Sequence, residues 1–395
     1  MKSIRLAEGR EASLLRRHPW IFSGAVAEVQ GEPAAGETVA VRAADGRFLA
    51  WAAYSPRSQI RARVWTFREA EAVEPPFFHR RLAAALARRR ALVDPEARTG
   101  YRLVFGEADG LPGVVVDRYG DFLVCQFLSA GAEYWREVLL EGLLALVPCR
   151  GIHERSDTAA RGKEGLAPRS GTARGEAAPE EVEIVEFGCR FGVDVWRGHK
   201  TGFYLDQAEN RYRLAALCAG ARVLNAFSYT GAFTVAALRA GAEQVVEVDS
   251  SASALAASAR NLARNGLRGE RCQQVRADVF ELLRRYRAEG KCFDLVILDP
   301  PRFADGRAQL PRAARAYKDL VLNAAPLVAP GGLLVNFSCS AAVDPALFQK
   351  ITADGFLDAD REGRAVAYLT QGPDHPVALS FPESLYLKGL VNRVE

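Results

Sequence analysis

The chain has 395 residues, 49% of hydrophobic type and 25% charged, with a formal net charge of +4. That balance excludes a disordered or fibrous chain and leaves length for two or three domains with their own cores. No stretch reaches roughly eighteen uncharged apolar residues, and the first ten residues hold no signal-peptide core, so a cytoplasmic protein without a membrane partner is expected.

From Ile4 to about Phe67, short alternating apolar runs are punctuated by glycine, as in Trp20-Ile21-Phe22-Ser23-Gly24 and Phe48-Leu49-Ala50-Trp51. Such spacing predicts a small β-barrel or sandwich over residues 1–72. Glu74-Pro75-Pro76 breaks the chain, and 77–93 reads as a helix. Of the 52 basic residues only seven are lysine, and arginine is dense between Phe77 and Arg102, where Arg88-Arg89-Arg90 stand in a row. Such a run suits a solvated helix face as well as an RNA-facing one. Strands are expected at 101–105, 113–119 and 122–127 and a helix at 134–146, a compact α+β domain over 73–184. Within it, residues 155–181 are rich in Gly, Ala, Ser, Pro and alternating charge, and read as a long mobile loop.

From 185 to 395 strands and helices alternate. Strands are predicted at 222–227, 244–248, 295–298 and 333–337, with helices at 230–240, 251–265, 279–288 and 312–328. This is an α/β fold with a mostly parallel sheet covered on both faces. The seven cysteines include no C-x-x-C pair, which argues against a zinc site and fits reduced thiols.

In such sheets ligands sit beyond the carboxyl ends of the strands. The turn Asn225-Ala226-Phe227-Ser228-Tyr229-Thr230-Gly231 falls there. Its glycine allows close backbone approach, and the next helix offers unpaired N–H groups. Asp249 ends the following strand and suits ribose hydroxyls. The turn lacks G-x-G-x-x-G, which disfavours a nicotinamide dinucleotide. S-adenosylmethionine carries no phosphate and needs no such cradle. Asp278 suits the adenine amine, and equally a helix N-cap.

Two strand ends carry the candidate chemistry. One strand stops at Asp299-Pro300-Pro301-Arg302-Phe303, the other at Ser338-Cys339-Ser340. Carbon 5 of cytosine is a poor nucleophile, so methylating it requires a thiolate to add first at carbon 6. Cys339 suits that role, with the adjacent serines able to hydrogen-bond the sulfur or its surroundings. Asp299, on a rigid corner, can donate to N3 of the base if protonated, or accept from an exocyclic amine. Phe303 or Arg302 can stack on a flipped base. Each has a structural alternative, a buried thiol for Cys339 and a turn cap for Asp299.

Four longer strings are more specific. Gly9-Arg10-Glu11-Ala12-Ser13-Leu14-Leu15-Arg16-Arg17-His18-Pro19-Trp20-Ile21-Phe22-Ser23-Gly24, Phe105-Gly106-Glu107-Ala108-Asp109-Gly110-Leu111-Pro112-Gly113, His199-Lys200-Thr201-Gly202-Phe203-Tyr204-Leu205-Asp206-Gln207, and Phe381-Pro382-Glu383-Ser384-Leu385-Tyr386-Leu387-Lys388 with the preceding Asp374-His375-Pro376 span nearly the whole chain. In them the chain resembles the PUA-containing large-subunit ribosomal RNA methyltransferases that make 5-methylcytosine in 23S rRNA. The resemblance implies an RNA-binding PUA barrel, a central α+β domain and a class I methyltransferase domain that uses S-adenosylmethionine. By position it implies cofactor contacts at Gln207, Arg211, Asn225, Phe227, Ser228, Tyr229, Thr230, Gly231, Asp249 and Asp278. Asp299 would lie between cofactor and base, and Cys339 would be the nucleophile. The partner would be 23S rRNA or a large-subunit precursor, and a homodimer is the base-rate expectation. No second cysteine follows Asp299, so the group that removes the C5 proton is open, with His375 and Asp374 as guesses. Two other readings stand beside this one. They are nitrogen methylation of a guanine or adenine, and a non-catalytic RNA-binding assembly factor.

Overall fold

In the computed structural model, which describes residues 2–267, 269–304 and 306–395, the chain divides into two compact units. The first holds residues 1–184, 193–205 and 373–384, and the second 185–192, 206–372 and 385–395. The second unit is therefore not a continuous run from 185. The insertion 193–205 is held in the first unit by Thr201, whose hydroxyl donates to the buried Asp117 at 2.6 Å. The insertion 373–384 is held there by Asp374, which accepts from Arg98 Nη2 and the Arg102 amide at 3.0 and 2.9 Å.

The first unit carries a six-stranded sheet in the order Trp20–Phe22, Ile60–Thr66, Phe48–Tyr54, Thr38–Arg42, Ser3–Leu6, Val26–Gln30. Its inward residues, among them Ile4, Val39, Val41 and Ala50, are fully buried, as the alternation predicts. A five-stranded sheet follows in the order Arg169–Gly175, Gly151–Ser156, Phe122–Phe127, Val114–Tyr119, Gly100–Phe105. The helix Pro75–Leu92 starts on its two prolines, whose missing N–H groups cost nothing there. It buries Phe77, Phe78 and Leu82, and Trp65 meets Phe78 edge-on at 5.1 Å, so barrel and central layer share one core.

Two expectations change here. Residues 155–181 are not a mobile loop. The strand Gly151–Ser156 runs into them, and they go on to form the helix Ala159–Glu164 and the strand Arg169–Gly175. Polar composition misleads because Arg155, Arg161 and Glu164 are buried and hold the segment in place, while its other charged residues stay at the surface. Arg161 donates to the Phe127 carbonyl and to Glu133, and the buried Glu164 accepts from Arg63 and Ser55. The arginine-dense stretch is likewise not one solvated face. Arg89 pairs with Asp109, Arg98 with Asp374 and Arg102 with Asp117, all of them buried.

The second unit is a seven-stranded sheet in the order Cys272–Arg276, Gln244–Asp249, Arg222–Ala226, Phe293–Leu298, Val328–Ser338, Lys388–Val394, Gly363–Leu369. The first five strands are parallel and the last two pair antiparallel. Strand order reverses at Arg222–Ala226, between Gln244–Asp249 and Phe293–Leu298. In open α/β sheets such a reversal is where ligands bind, beyond the carboxyl ends of the strands. The helix expected from 230 begins at Ala232, because Gly231 is left-handed at φ +74°. The helix Val279–Ala288 is as expected. Among the described residues no helix is long and apolar enough to cross a membrane.

Candidate active site

The turn after Arg222–Ala226 is bent against ordinary backbone preference. Phe227 and Tyr229 both have positive φ, 63° and 48°, a conformation that costs such residues on the order of 1–3 kcal/mol each. Hydrogen bonds from the neighbouring strand offset the cost. Ser228 N donates to Val248 O and Tyr229 N to Asp249 Oδ2, each at 2.9 Å. Asp249 Oδ1 also accepts from Ser251 N at 2.8 Å, so this one carboxylate ties together the ends of both strands.

Beneath the turn lies a network that the sequence reading missed. Glu247, fully buried, accepts from Ser258 Oγ at 2.8 Å and from Gln274 Nε2 at 2.5 Å. Asn261 Nδ2 donates to the Thr230 carbonyl at 2.9 Å. The one signal for it was an acid inside an otherwise apolar strand. Gly231 lies against this network so closely that a Cβ would collide with Ser258 Oγ.

The same turn holds three buried polar atoms that have no hydrogen-bond partner among the described residues. They are Asn225 Oδ1, Ser228 Oγ and Thr230 Oγ1. Buried groups are rarely left unpaired, because each costs about 1–3 kcal/mol. Their clustering fits a polar ligand held at the turn, and a ribose–amino-acid conjugate such as S-adenosylmethionine suits that donor set. Asp278 caps the helix Val279–Ala288 through Glu281 N at 3.1 Å and stays solvent-exposed. Phe227 meets Phe280 at 6.4 Å, Phe280 meets Phe303 at 6.0 Å, and Phe303 meets Tyr317 at 4.8 Å. This aromatic row leads from the glycine turn to the acidic corner. Phe280 and Tyr317 were not singled out from sequence.

Gln207 lies just ahead of the helix Ala208–Ala215 and donates from Nε2 to Asp299 Oδ2 at 3.1 Å. Arg211 is buried, its Nε and Nη2 forked onto both oxygens of Glu186 at 2.6 and 2.7 Å. Burial by itself would weaken its protonation, but the Glu186 carboxylate outweighs that and holds its pKa above the ordinary value. Its fork thus belongs to Glu186, while its charge is also felt by Asp299.

Leu298 is in register with Asn336, so Asp299 and Cys339 lie just past the ends of adjacent parallel strands. The two loops are laced together. Ser340 Oγ accepts from Ala304 N at 3.2 Å and is bonded to Tyr317 Oη at 3.0 Å. Ser340 N donates to Ser338 Oγ at 3.3 Å. The serines thus fix the sulfur's surroundings, and Cys339 itself is half-buried. Asp374 and His375 have a different setting. Both are buried in the first unit, Asp374 against Arg98 and His375 tilted against Phe105 at 5.3 Å.

The sheet order and its terminal turn define a class I S-adenosylmethionine-dependent methyltransferase domain. A family model described as S-adenosylmethionine-dependent methyltransferase matches residues 168–375, and a PUA-like domain model matches 4–67. A protein of Aeromonas salmonicida (strain A449) named ribosomal RNA large subunit methyltransferase I is 52% identical over 390 residues, covering 99% of this chain and 98% of the relative. One from Shewanella amazonensis with the same name is 51% identical over 391 residues, with 99% of each chain covered. The chain belongs to the ribosomal RNA large subunit methyltransferase I family. Among solved structures, a proposed SAM-dependent methyltransferase from Streptococcus mutans superposes with TM-score 0.87 at 24% identity, both chains fully covered. SMU.776, a proposed methyltransferase complexed with SAH, gives 0.88 at 24% identity, with the same coverage. These likenesses carry the fold.

Proposed function

We propose that this protein methylates carbon 5 of a cytosine in 23S rRNA, alone or in a large-subunit precursor, through a covalent bond from Cys339 to carbon 6. The RNA substrate class follows from relatives at half identity that carry the ribosomal RNA large subunit methyltransferase name. A cytoplasmic site of action goes with that substrate. The observation that supports the chemistry best is the pairing of a half-buried thiol with a carboxylate on adjacent strand ends, their loops joined by the Ala304–Ser340 hydrogen bond.

S-adenosylmethionine, when bound, supplies an electrophilic methyl group. Asn225, Ser228, Thr230 and Asp249 would hold it at the turn, Asp278 would serve its adenine amine, and Phe227 and Phe280 would offer the ring an apolar wall. The Cys339 thiolate adds to carbon 6, forming the S–C6 bond while the C5=C6 electron pair moves to carbon 5. Asp299, oriented by Gln207, donates a proton toward N3 as the ring takes up charge. Phe303 stacks on the extruded base. With the methyl in place on carbon 5, the C5 proton is lost to solvent, that C–H electron pair re-forms the C5=C6 bond and expels the Cys339 thiolate, and N3 returns its proton to Asp299.

The test is mass spectrometry of the purified protein with a 5-fluorocytidine-substituted 23S rRNA fragment and S-adenosylmethionine, for wild type and Cys339→Ala. An adduct at Cys339 that vanishes in the variant supports the reading. Methyl transfer that persists in both proteins without an adduct moves the chemistry to a ring or exocyclic nitrogen.

A further inference from the structure

Lys388 opens the strand Lys388–Val394 and is in register with Ser338, the residue before Cys339. Its side chain turns back along the same loop. Nζ donates to the carbonyl of Ser340, the residue after Cys339, and to that of Tyr386, each at 2.7 Å. The lysine therefore brackets Cys339 from both sides in sequence. It is also 5% exposed, and among the described residues no carboxylate forms a salt bridge with it.

A buried lysine without a carboxylate partner needs an explanation, since such groups are rarely buried unpaired. Carbonyl oxygens satisfy two of the three ammonium N–H groups but bring no full negative charge. The charged groups that face it are few. Cys339 on the adjoining strand end and Asp344 at the start of the next helix favour its protonated form, and Arg302 after the acidic corner opposes it. Tyr317, bonded to Ser340, lies in the same neighbourhood with its phenol pushed up by burial.

We infer that Lys388 is a positioning residue whose ammonium is the counter-charge of the Cys339 thiolate. The inference rests on the proposed role of Cys339 as nucleophile. The thiol proton passes to water, and the resulting S⁻ faces an ammonium already pinned by two carbonyls, so no reorganisation is needed when the thiolate forms. Burial pushes Lys388 down to about 8, which keeps it mostly protonated at neutral pH, where the pair is required. Cys339 and Lys388 thus titrate as a coupled pair, with the ion-pair form confined to a window around neutrality.

Alkylation of Cys339 by iodoacetamide from pH 5 to 10, followed by peptide mass spectrometry, tests the inference without RNA. The exposed Cys292 in the same sample serves as the accessibility control. In the wild type the midpoint should fall about one pH unit or more below the ordinary thiol value of ~8.5. Lys388→Met should raise it by about the same amount, and Lys388→Arg should stay closer to wild type. Circular dichroism and S-adenosylmethionine calorimetry check that the variants are folded. A wild-type midpoint at or above ~8.5 overturns the inference, even if the Met variant fails to fold. Equal midpoints in wild type and Lys388→Met, or an Arg variant no better than Met, also overturn it. A low midpoint with no fluorocytidine adduct would leave the lysine's role standing and remove the cytosine reading instead.

Discussion

Gln207 Nε2 donates to Asp299 Oδ2 at 3.1 Å, while its own Oε1 accepts from Asn210 Nδ2 at 2.6 Å. The amide is therefore oriented before it reaches the acid, and Asp299 is held in one rotamer at the mouth of the sheet. A hydrogen bond to the uncharged acid contributes about 0.5–1.5 kcal/mol, and 1.4 kcal/mol is a factor of ten. Gln207→Ala should lower kcat/KM by up to about tenfold with little change in melting temperature. Steady-state kinetics beside a thermal melt would check it, and an unchanged kcat/KM would remove Gln207 from the site.

Gly231 is left-handed at φ +74° and has no room for a Cβ against Ser258. Gly231→Ala should cost at least about 1–3 kcal/mol by strain and collision, and should weaken S-adenosylmethionine binding by displacing the turn. Denaturant melts and calorimetry measure the two effects separately. Wild-type values in both would mean the turn is more yielding than its hydrogen bonds suggest.

The Arg211–Glu186 pair is about 3% exposed on either side. Removing one partner strands a buried charge, which typically costs about 3–5 kcal/mol, whereas replacing both with apolar residues recovers much of that. Arg211→Met should therefore be markedly destabilised, and Arg211→Met with Glu186→Leu less so. Chemical denaturation of the single and double variants would decide. A double variant as unstable as the single one would argue that Arg211 acts mainly through Asp299 and the cofactor.

Acid should unfold the first unit by way of its buried carboxylates. Burial pushes Asp109 up, but hydrogen bonds and charge from Arg89, with help from Phe105 N and Arg88, leave it below the usual carboxylate range. Burial likewise opposes Asp374, and His375, Arg98 and the Arg102 amide overcome it. A carboxylate depressed in the folded state stabilises above its unfolded pKa of ~3.9, and that stability is lost as pH falls through the folded value. The melting temperature should thus hold from pH 7 to about 5 and fall below about 4. Asp109→Asn should melt lower at neutrality and show a shallower acid limb in a pH series of melts.

Most of the methyltransferase sheet was legible in the sequence because buried parallel strands are continuous apolar runs, and the first polar residues or glycine after each run mark its carboxyl end. The positions of the Asn225–Gly231 turn, Asp249, Asp299 and Cys339 at strand ends were legible that way. Polar partners were not, because hydrogen bonding leaves no periodicity. Glu247 under the turn, the buried Arg161 and Glu164 of 155–181 and the arginines paired with Asp109, Asp117 and Asp374 carry no sign in the sequence of the partners they meet once the chain is folded.

By itself, then, the sequence determined the order of strands and helices and which strand ends carry a thiol, an acid and a glycine turn. Those are properties of local runs. The tertiary structure alone decided what stands beside them. The strand Lys388–Val394 enters antiparallel between Val328–Ser338 and Gly363–Leu369, and that register brings the Lys388 ammonium from a distant part of the chain onto the carbonyl of Ser340, in the loop that carries Cys339. The reason is physical. Backbone hydrogen bonding fixes which residues face one another across a sheet, and only then does a buried charge meet its partner.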